Sequence, residues 1–278
     1  MPIIAMTREM GSLGKDVAAT IAERTDRRVV YHEIIEPVAN KMRLRKSHVE
    51  RFLEGRSGLW ERLTTDRTSL SIFTADETYR MLHDPATAVI RGWGAVHLLR
   101  DIPHVIRVRV CAPFELRVKR MMERLGTDNR PAIESEIELS EEAHTAITRR
   151  HFHVNWRDAE HYDLVLNTER MSVEECVAEL DQAMALPRFQ ETPESLRRAE
   201  SLALEWSVRS ALRRDTRTSA SELSVQAMDG VVTLSGLLEG DDEIEAVQEV
   251  TLGVPGVRSI RNLLRTASYR PGRALREA

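Results

Sequence analysis

The chain has 278 residues, which is long enough for two domains and for a substantial hydrophobic core. Its 42% hydrophobic and 30% charged residues exclude a disordered or fibrous protein. The formal net charge of -4 provides no global basic field, so we expect no nucleic-acid partner.

The cysteines and the first residues indicate the compartment. Cys111 and Cys176 have no second cysteine or histidine at ligand spacing, which argues against a disulfide framework and a structural zinc site. Charged side chains appear within the first ten residues, unlike in a signal peptide, and no window approaches the ~18–20 apolar residues of a membrane-spanning helix. These features predict a cytoplasmic protein.

Short apolar runs in residues 1–185 predict the buried strands of a parallel sheet. The runs are residues 2–6, 28–31, 88–91, 104–111 and 163–167. Helical periodicity is found between and after them, at residues 15–24, 34–44, 113–125 and from a capping box at Ser172 and Glu175 onward. The alternation of strand and helix predicts an α/β fold.

The pattern changes at residues 186–195, LPRFQETPES, where two prolines and polar residues predict a linker. Beyond it we expect a helix capped by Thr192, a hairpin that turns at Asp229 and Gly230, a helix over about residues 242–251 and a strand over 257–264. This order predicts a small α+β (αββαβ) domain at 196–270 after a first domain at 1–185.

A glycine-bearing loop between the first strand and the first helix has the composition of an anion site. In MTREMGSLGKDVA, residues 6–18, Gly11 and Gly14 let a phosphate approach the main chain, and Lys15 adds a positive charge. The helix N-terminus adds unpaired amides and a favourable dipole. Glu9 and Asp16 break the pattern G-x-x-x-x-G-K-[ST], so an ordinary strand–helix turn stays an alternative.

Three segments together resemble the cytidylate kinase-like family of P-loop kinases. TREMGSLGKDVA resembles the family's S-R-E-x-G-S-G-G loop, VIRGWGAVHLLRDIPHVIRVRVCAP resembles its G-R-G-A strand with the unit that follows, and RRHFHVNWRDAEHYDLVLNT resembles its lid and last strand. The resemblance covers residues 2–185. It implies the three-layer P-loop kinase fold with a parallel sheet, an ATP site, an acceptor-nucleotide site and a lid.

The resemblance implies ATP and Mg²⁺ as cofactors. The residues that it assigns to ATP are Gly11, Ser12, Leu13, Gly14, Lys15 and Asp16, with Asp16 also the expected ligand of Mg²⁺. Lys15, Arg149 and Arg150 are the expected catalytic residues, because phosphoryl transfer depends on charge neutralisation. For the arginine pair, a solvated helix face is the alternative.

The expected acceptor site contains Tyr31, Glu33, Arg91 and Trp93. Trp93 stands where the family has an arginine, and Arg91, two residues earlier and on the same side of its strand, is the expected substitute. Glu33 is alternatively a helix N-terminal acid. The resemblance implies CMP or dCMP as the nucleotide substrate.

Departures from the family pattern concern the lid and the metal site. Glu141-Glu142-Ala143-His144 replaces an aspartate and arginines, Asn155 replaces the aspartate of D-W, and Asp16 replaces a hydroxyl group. Two functions therefore stay open. One is an ATP-dependent nucleoside monophosphate kinase, and the other is a catalytically weakened nucleotide sensor that signals through the second domain.

A basic stretch lies close to an acidic one. Residues 107–124 contain five arginines and one lysine against two glutamates, and residues 134–142 have the acidic sequence ESEIELSEE. We interpret the basic stretch as mostly a solvated amphipathic helix, and the acidic run as its surface partner.

The second domain resembles a BON domain over about residues 199–268. VQAMDGVVTLSG and GVPGVRSIRNLL resemble the two glycine-centred signatures of that family. The resemblance implies contact with phospholipid, a small ligand or a protein, in a regulatory role. A packing module that forms a homo-oligomer is the alternative, and no catalytic group is evident.

Overall fold

The computed structural model describes residues 1–31, 33–53, 66–92 and 94–266, without the side chains of 51–53 and 67. The chain divides into two compact units, unit 1 (Met1–Ala199) and unit 2 (Glu200–Ala278). The division falls inside one helix, Pro193–Arg214. The segment at 186–195 contains a 3₁₀ turn, Pro187–Phe189, and the first residues of that helix.

Unit 1 is built on a five-stranded parallel sheet. Its strands are β1 (Ile3–Arg8), β2 (Arg28–Val30), β3 (Thr87–Arg91), β4 (Val105–Cys111) and β5 (Leu164–Asn167). They lie in the order β2-β3-β1-β4-β5, and every pair is parallel. The parallel-sheet prediction is therefore confirmed, and the carboxyl ends of β1, β3 and β4 share one edge.

Helices connect these strands and continue beyond them. They are α1 (Gly14–Arg24), α2 (Ile35–Met42), α3 (Lys46–Leu53), α4 (Arg67–Leu82), α5 (Ala95–Leu98), α6 (Phe114–Leu125), α7 (Arg130–Phe152), α8 (Val173–Ala185), α9 (Pro193–Arg214) and α10 (Asp241–Leu252). In the described ranges, none of them has both the length and the apolar composition of a membrane-spanning segment.

The main core lies between the sheet and the pair α1 and α8. Ile4 and Val108 of the sheet are completely buried against Val17 of α1 and Leu180 of α8. Helix α8 begins as the sequence predicts, because the Ser172 hydroxyl accepts from the Glu175 amide at 3.1 Å and the Glu175 carboxylate accepts from the Ser172 amide at 2.8 Å. This core fixes α1, and with it the loop that enters α1.

Unit 2 contains β6 (Leu223–Met228), β7 (Val231–Leu238) and β8 (Ser259–Thr266). β6 pairs antiparallel with β7, and β7 pairs parallel with β8. Val208 of α9 and Val247 of α10 are buried against Val232 on one face of this sheet. The turn between β6 and β7 has positive φ at Asp229 (48°) and Gly230 (80°), as the predicted hairpin requires.

Candidate functional site

The loop between β1 and α1 presents unpaired amides at the carboxyl edge of the sheet. Within the described part of the chain, the amides of Gly11, Leu13, Gly14 and Lys15 are among those that donate to no protein acceptor. They lie at the N-terminus of an eleven-residue helix. Such a group of outward N–H donors, together with the helix dipole, suits an anion such as phosphate.

Ser12 holds this loop from the inside. It is completely buried, and its hydroxyl lies 2.7 Å from the Glu9 carbonyl oxygen and 3.1 Å from that of Val110. Its amide donates to the Glu9 carbonyl at 3.2 Å, and its carbonyl accepts from the Thr168 hydroxyl at 2.9 Å. The polar groups of Ser12 are therefore used within the protein, and the amides that remain available to an anion are those of its neighbours.

Leu13 and Gly14 show how tightly the loop is shaped. Leu13 has φ 60°, ψ 8°, a left-handed conformation that costs about 1–2 kcal/mol in a non-glycine residue. A Cβ at Gly14 would lie 2.7 Å from Cβ of Arg8, so a larger residue does not fit. Strain of this kind persists where the surroundings enforce it, often at functional sites.

Lys15 and Asp16 begin α1 and differ in environment. Lys15 is exposed and has no salt bridge to any described residue, so its ammonium group is available to a ligand. Oδ2 of Asp16 is buried and has no hydrogen-bond partner among the described residues. A buried carboxylate oxygen needs a compensating partner, and Mg²⁺ prefers oxygen ligands, so Asp16 fits the cation that the family resemblance implies.

Arg91 ends β3 at the same edge of the sheet. Its guanidinium lies 4.4 Å from the centre of the Tyr31 ring, and its Nε and Nη1 are buried with no hydrogen-bond partner among the described residues. Burial and, secondarily, the charge of Arg8 lower the pKa of Arg91 to about 10. Arg91 therefore stays charged at neutral pH and offers N–H donors to a ligand.

The structure brings three of the four expected acceptor residues together. Tyr31 packs on Arg91, and a Cβ at Gly92 would lie 2.6 Å from Cε2 of Tyr31. The exposed Glu33 accepts from the Tyr31 amide at 2.7 Å. Its negative charge partly opposes the lowering of the Arg91 pKa by burial. Trp93, the fourth, lies outside the described residues.

Arg149 and Arg150 lie in the last turn of α7 and are exposed. The next residues anchor this turn, because Nδ1 of His151 lies 2.8 Å from the Ser71 hydroxyl of α4. Phe152 fills the space beside Gly94, where a Cβ would approach its ring to 2.4 Å. The arginine pair therefore belongs to the turn of α7 that packs against α4 and the loop after β3.

Sequence reasoning missed the charged groups beneath the loop. The Glu9 side chain is only 7% exposed and accepts from Nη2 of Arg109 at 2.6 Å. Arg117 is also buried, so the interpretation of residues 107–124 as a mostly solvated helix is wrong for this residue. The available signal was Glu9 itself, which occupies the first glycine position of the phosphate-loop pattern.

Two family models match the chain. The model of the cytidylate kinase-like family matches residues 3–170, and the model of the BON domain matches residues 202–268. No curated protein sequence shows a significant match.

Solved structures match about two thirds of the chain. An uncharacterized protein from Eubacterium ventriosum has 19% identity and a TM-score of 0.52, over 66% of this chain and 98% of that one, which indicates a shared fold. Shikimate kinase from Acinetobacter baumannii, in complex with shikimate, matches with 13% identity and a TM-score of 0.39, over 66% of this chain and 93% of that one. Shikimate kinase from Bacteroides thetaiotaomicron matches with 11% identity and a TM-score of 0.41, over 66% and 99%.

Two histidines, His97 of α5 and His144 of α7, are neutral at pH 7 because burial lowers their pKa values. His97 is 6% exposed, and its ring centre lies 5.2 Å from that of Phe152 and 5.4 Å from that of His161. Burial and, to a smaller extent, the charge of His161 lower the pKa of His97 to about 4. His144 stacks on Trp156 at 4.3 Å, and burial lowers its pKa to about 3.

These depressed values predict a loss of stability in acid. As the pH falls from about 6.5 to 4, unfolded His97 binds a proton that the folded state excludes, and this histidine alone removes about 1.4 kcal/mol of unfolding free energy per pH unit. His97→Gln should reduce the slope by that amount. The slope is measured by urea unfolding at several pH values, with hydrogen exchange of the β1 and β4 amides as the probe of unfolding.

The matched control is His83→Gln, at an exposed histidine, and the slope of His97→Gln is compared with the slope of this variant. An unchanged slope in His97→Gln would contradict the assignment of the acid sensitivity to burial of His97.

Proposed function

Because this chain belongs to the cytidylate kinase-like family, we propose that unit 1 transfers a phosphoryl group from ATP to a nucleoside monophosphate, with CMP or dCMP as the substrate. The observation that carries the proposal is the loop before α1, where the unpaired amides of Gly11, Leu13, Gly14 and Lys15 lie together with the Lys15 side chain at a helix N-terminus. Amides and a lysine in this arrangement bind phosphate, whatever the acceptor is.

The donor phosphates bind at this loop in the proposed reaction. The amides of Gly11, Leu13, Gly14 and Lys15 hold the phosphate oxygens, and the Lys15 ammonium neutralises charge on the β- and γ-phosphates. Asp16 holds Mg²⁺, which supplies further charge neutralisation when bound. The protein thereby orients the donor and stabilises the charge of the transition state without a covalent intermediate.

The acceptor binds at the carboxyl end of β3 in this proposal. Arg91 donates to the acceptor phosphate from Nε and Nη1, which no described protein group occupies. The Tyr31 ring supports the guanidinium from one face, and Glu33 fixes the main chain at Tyr31. Arg149 and Arg150 act from α7 on the phosphoryl group in transfer.

Replacing Lys15 tests donor binding. Lys15→Ala should weaken binding of Mg·ATP by roughly 10- to 100-fold, since loss of one charge-assisted contact costs about 1.5–3 kcal/mol. Calorimetry on the full chain measures the affinity. Lys119→Ala, at a lysine whose side chain is 72% exposed on α6, is the control and should leave it unchanged. Equal affinity of Lys15→Ala and the wild type would rule out the loop as the ATP site.

Replacing Arg91 tests acceptor binding separately. Arg91→Gln should raise KM for CMP by roughly 10- to 100-fold, because a bidentate charged contact is lost, and should leave the affinity for Mg·ATP unchanged. A coupled assay of ADP release measures KM, with Arg100→Gln as the exposed control. If KM for CMP stays at the wild-type value, Arg91 does not bind the acceptor.

The second part of the proposal concerns unit 2. We propose that it is a regulatory domain that contacts an anionic lipid surface. The face of its sheet opposite the core exposes Met228 (69%) and Leu237 (67%), together with Leu263. Arg261 and Arg265 lie on the same face of β8, since they alternate with the core-facing residues of that strand. Apolar and cationic groups together suit such a surface.

Vesicle binding of the full chain tests this role. Replacing Arg261 and Arg265 together by glutamine should weaken binding to phosphatidylglycerol vesicles by roughly 30-fold, at about 1 kcal/mol for each arginine. The double replacement of the exposed Arg197 and Arg198 of α9 is the control. Equal binding of the wild type to neutral phosphatidylcholine vesicles, or full binding by the first variant, would contradict the proposal.

A further inference from the structure

Arg117 of α6 holds the phosphate-binding loop from below. Its side chain is only 6% exposed, and it donates from Nε to the Ala112 carbonyl at 3.0 Å and from Nη1 to the Met10 carbonyl at 3.3 Å. Its own carbonyl oxygen lies 2.7 Å from the position of a Cβ at Gly11. The loop therefore rests directly on Arg117, through both its main chain and its side chain.

Glu9, at the start of the loop, shares this cation. Its carboxylate lies 3.5 Å from Nε of Arg117, accepts from Nη2 of Arg109 at 2.6 Å and accepts from the Ala112 amide at 3.2 Å. These contacts tie the loop to the end of β4 and to α6. They also leave Nη2 of Arg117 to a different carboxylate.

That carboxylate belongs to Glu141, in the middle of α7, which forms an ion pair with Arg117. Oε1 of Glu141 lies 2.7 Å from Nη2 of Arg117, and Oε2 accepts from Nη2 of Arg157 at 2.5 Å. The Glu141 side chain is 15% exposed. A continuous series of alternating charges therefore runs from Glu9 through Arg117 to Glu141 and Arg157.

We propose that Arg117 is a positioning residue that couples the phosphate-binding loop to helix α7 through Glu141. Glu141 provides the shorter of the two carboxylate contacts of Arg117, so its charge decides how the guanidinium is shared between the loop and α7. Removal of one member of a buried ion pair leaves an uncompensated charge, and its neighbours rearrange. A change at residue 141 therefore loosens the loop, although the loop lies in another element.

The same coupling acts in the reverse direction, and this part rests on the proposed function. A ligand that orders the loop orders α7, because coupling between two sites is reciprocal. Arg149 and Arg150 lie about two turns beyond Glu141 on the same helix. Occupation of the loop is thus transmitted to the arginine pair.

The first experiment uses the ligand-free full chain and needs no nucleotide. Hydrogen exchange is measured for the wild type, Glu141→Gln, Arg117→Lys and the control Glu142→Gln, at the adjacent exposed glutamate. Glu141→Gln and Arg117→Lys should each accelerate exchange of the Glu9 and Ser12 amides, which donate to main-chain carbonyls, by about tenfold relative to amides of β4. Glu142→Gln should not. The β4 reference separates local coupling from global destabilisation.

The outcome in the ligand-free protein decides the proposal. Faster exchange in α7 with no change in the loop would overturn it, because Glu141 would then act on its own helix only. Acceleration in the loop no greater than in β4 would also overturn it, since it would show a general loss of stability.

The second experiment adds saturating Mg·ADP. In the wild type, exchange of the α7 amides after residue 141 should slow by about tenfold, and in Glu141→Gln this response should disappear while Mg·ADP affinity stays within about threefold. Retention of the α7 response in Glu141→Gln would overturn the coupling. Failure of the wild type to bind Mg·ADP would instead contradict the proposed function, and the ligand-free comparison would still decide the role of Arg117.

Discussion

The buried contacts beneath the loop at residues 9–13 are the constraint on which the site depends. Four unpaired amides at a helix N-terminus tend to find acceptors of their own, and the loop keeps them outward because its inner polar groups are already bonded. Ser12 uses its hydroxyl, amide and carbonyl on the inside, and Arg117 fixes the Met10 carbonyl. The shape of the candidate anion site is therefore set by groups on the inner side of the loop, which face away from the unpaired amides.

Salt bridges distinguish the arginines that shape the site from the cationic side chains that are available to a ligand. Arg109, Arg117 and Arg157 each contact a carboxylate, so their positive charge is largely neutralised within the protein. Lys15 has no salt bridge to a described residue, and Arg91 has two buried nitrogen atoms without a hydrogen-bond partner there. Positive potential consequently remains at the carboxyl edge of the sheet, where phosphates bind in α/β folds of this kind.

Local sequence signals predicted the parts of the fold that local physics decides. The five strands, the capping box at Ser172 and the positive-φ turn at Asp229 and Gly230 follow from side-chain periodicity and backbone preference. Helices α3 and α4 were not predicted. The interpretation of residues 107–124 as mostly solvent-exposed is wrong for Arg117, which is buried. Whether an arginine on an amphipathic helix is buried depends on a distant carboxylate, here that of Glu141, and sequence spacing does not show which side chain that will be.

The central claim is that the amides between β1 and α1 bind phosphate, and amide-resolved NMR of the full chain tests it most directly. Titration with a magnesium complex of a non-hydrolysable ATP analogue should shift the amide resonances of Gly11, Leu13, Gly14 and Lys15 most strongly. The amide of Ser12, which is bonded to the Glu9 carbonyl, should respond less. Saturable binding whose largest shifts lie elsewhere in unit 1, with these four amides unchanged, would contradict the account.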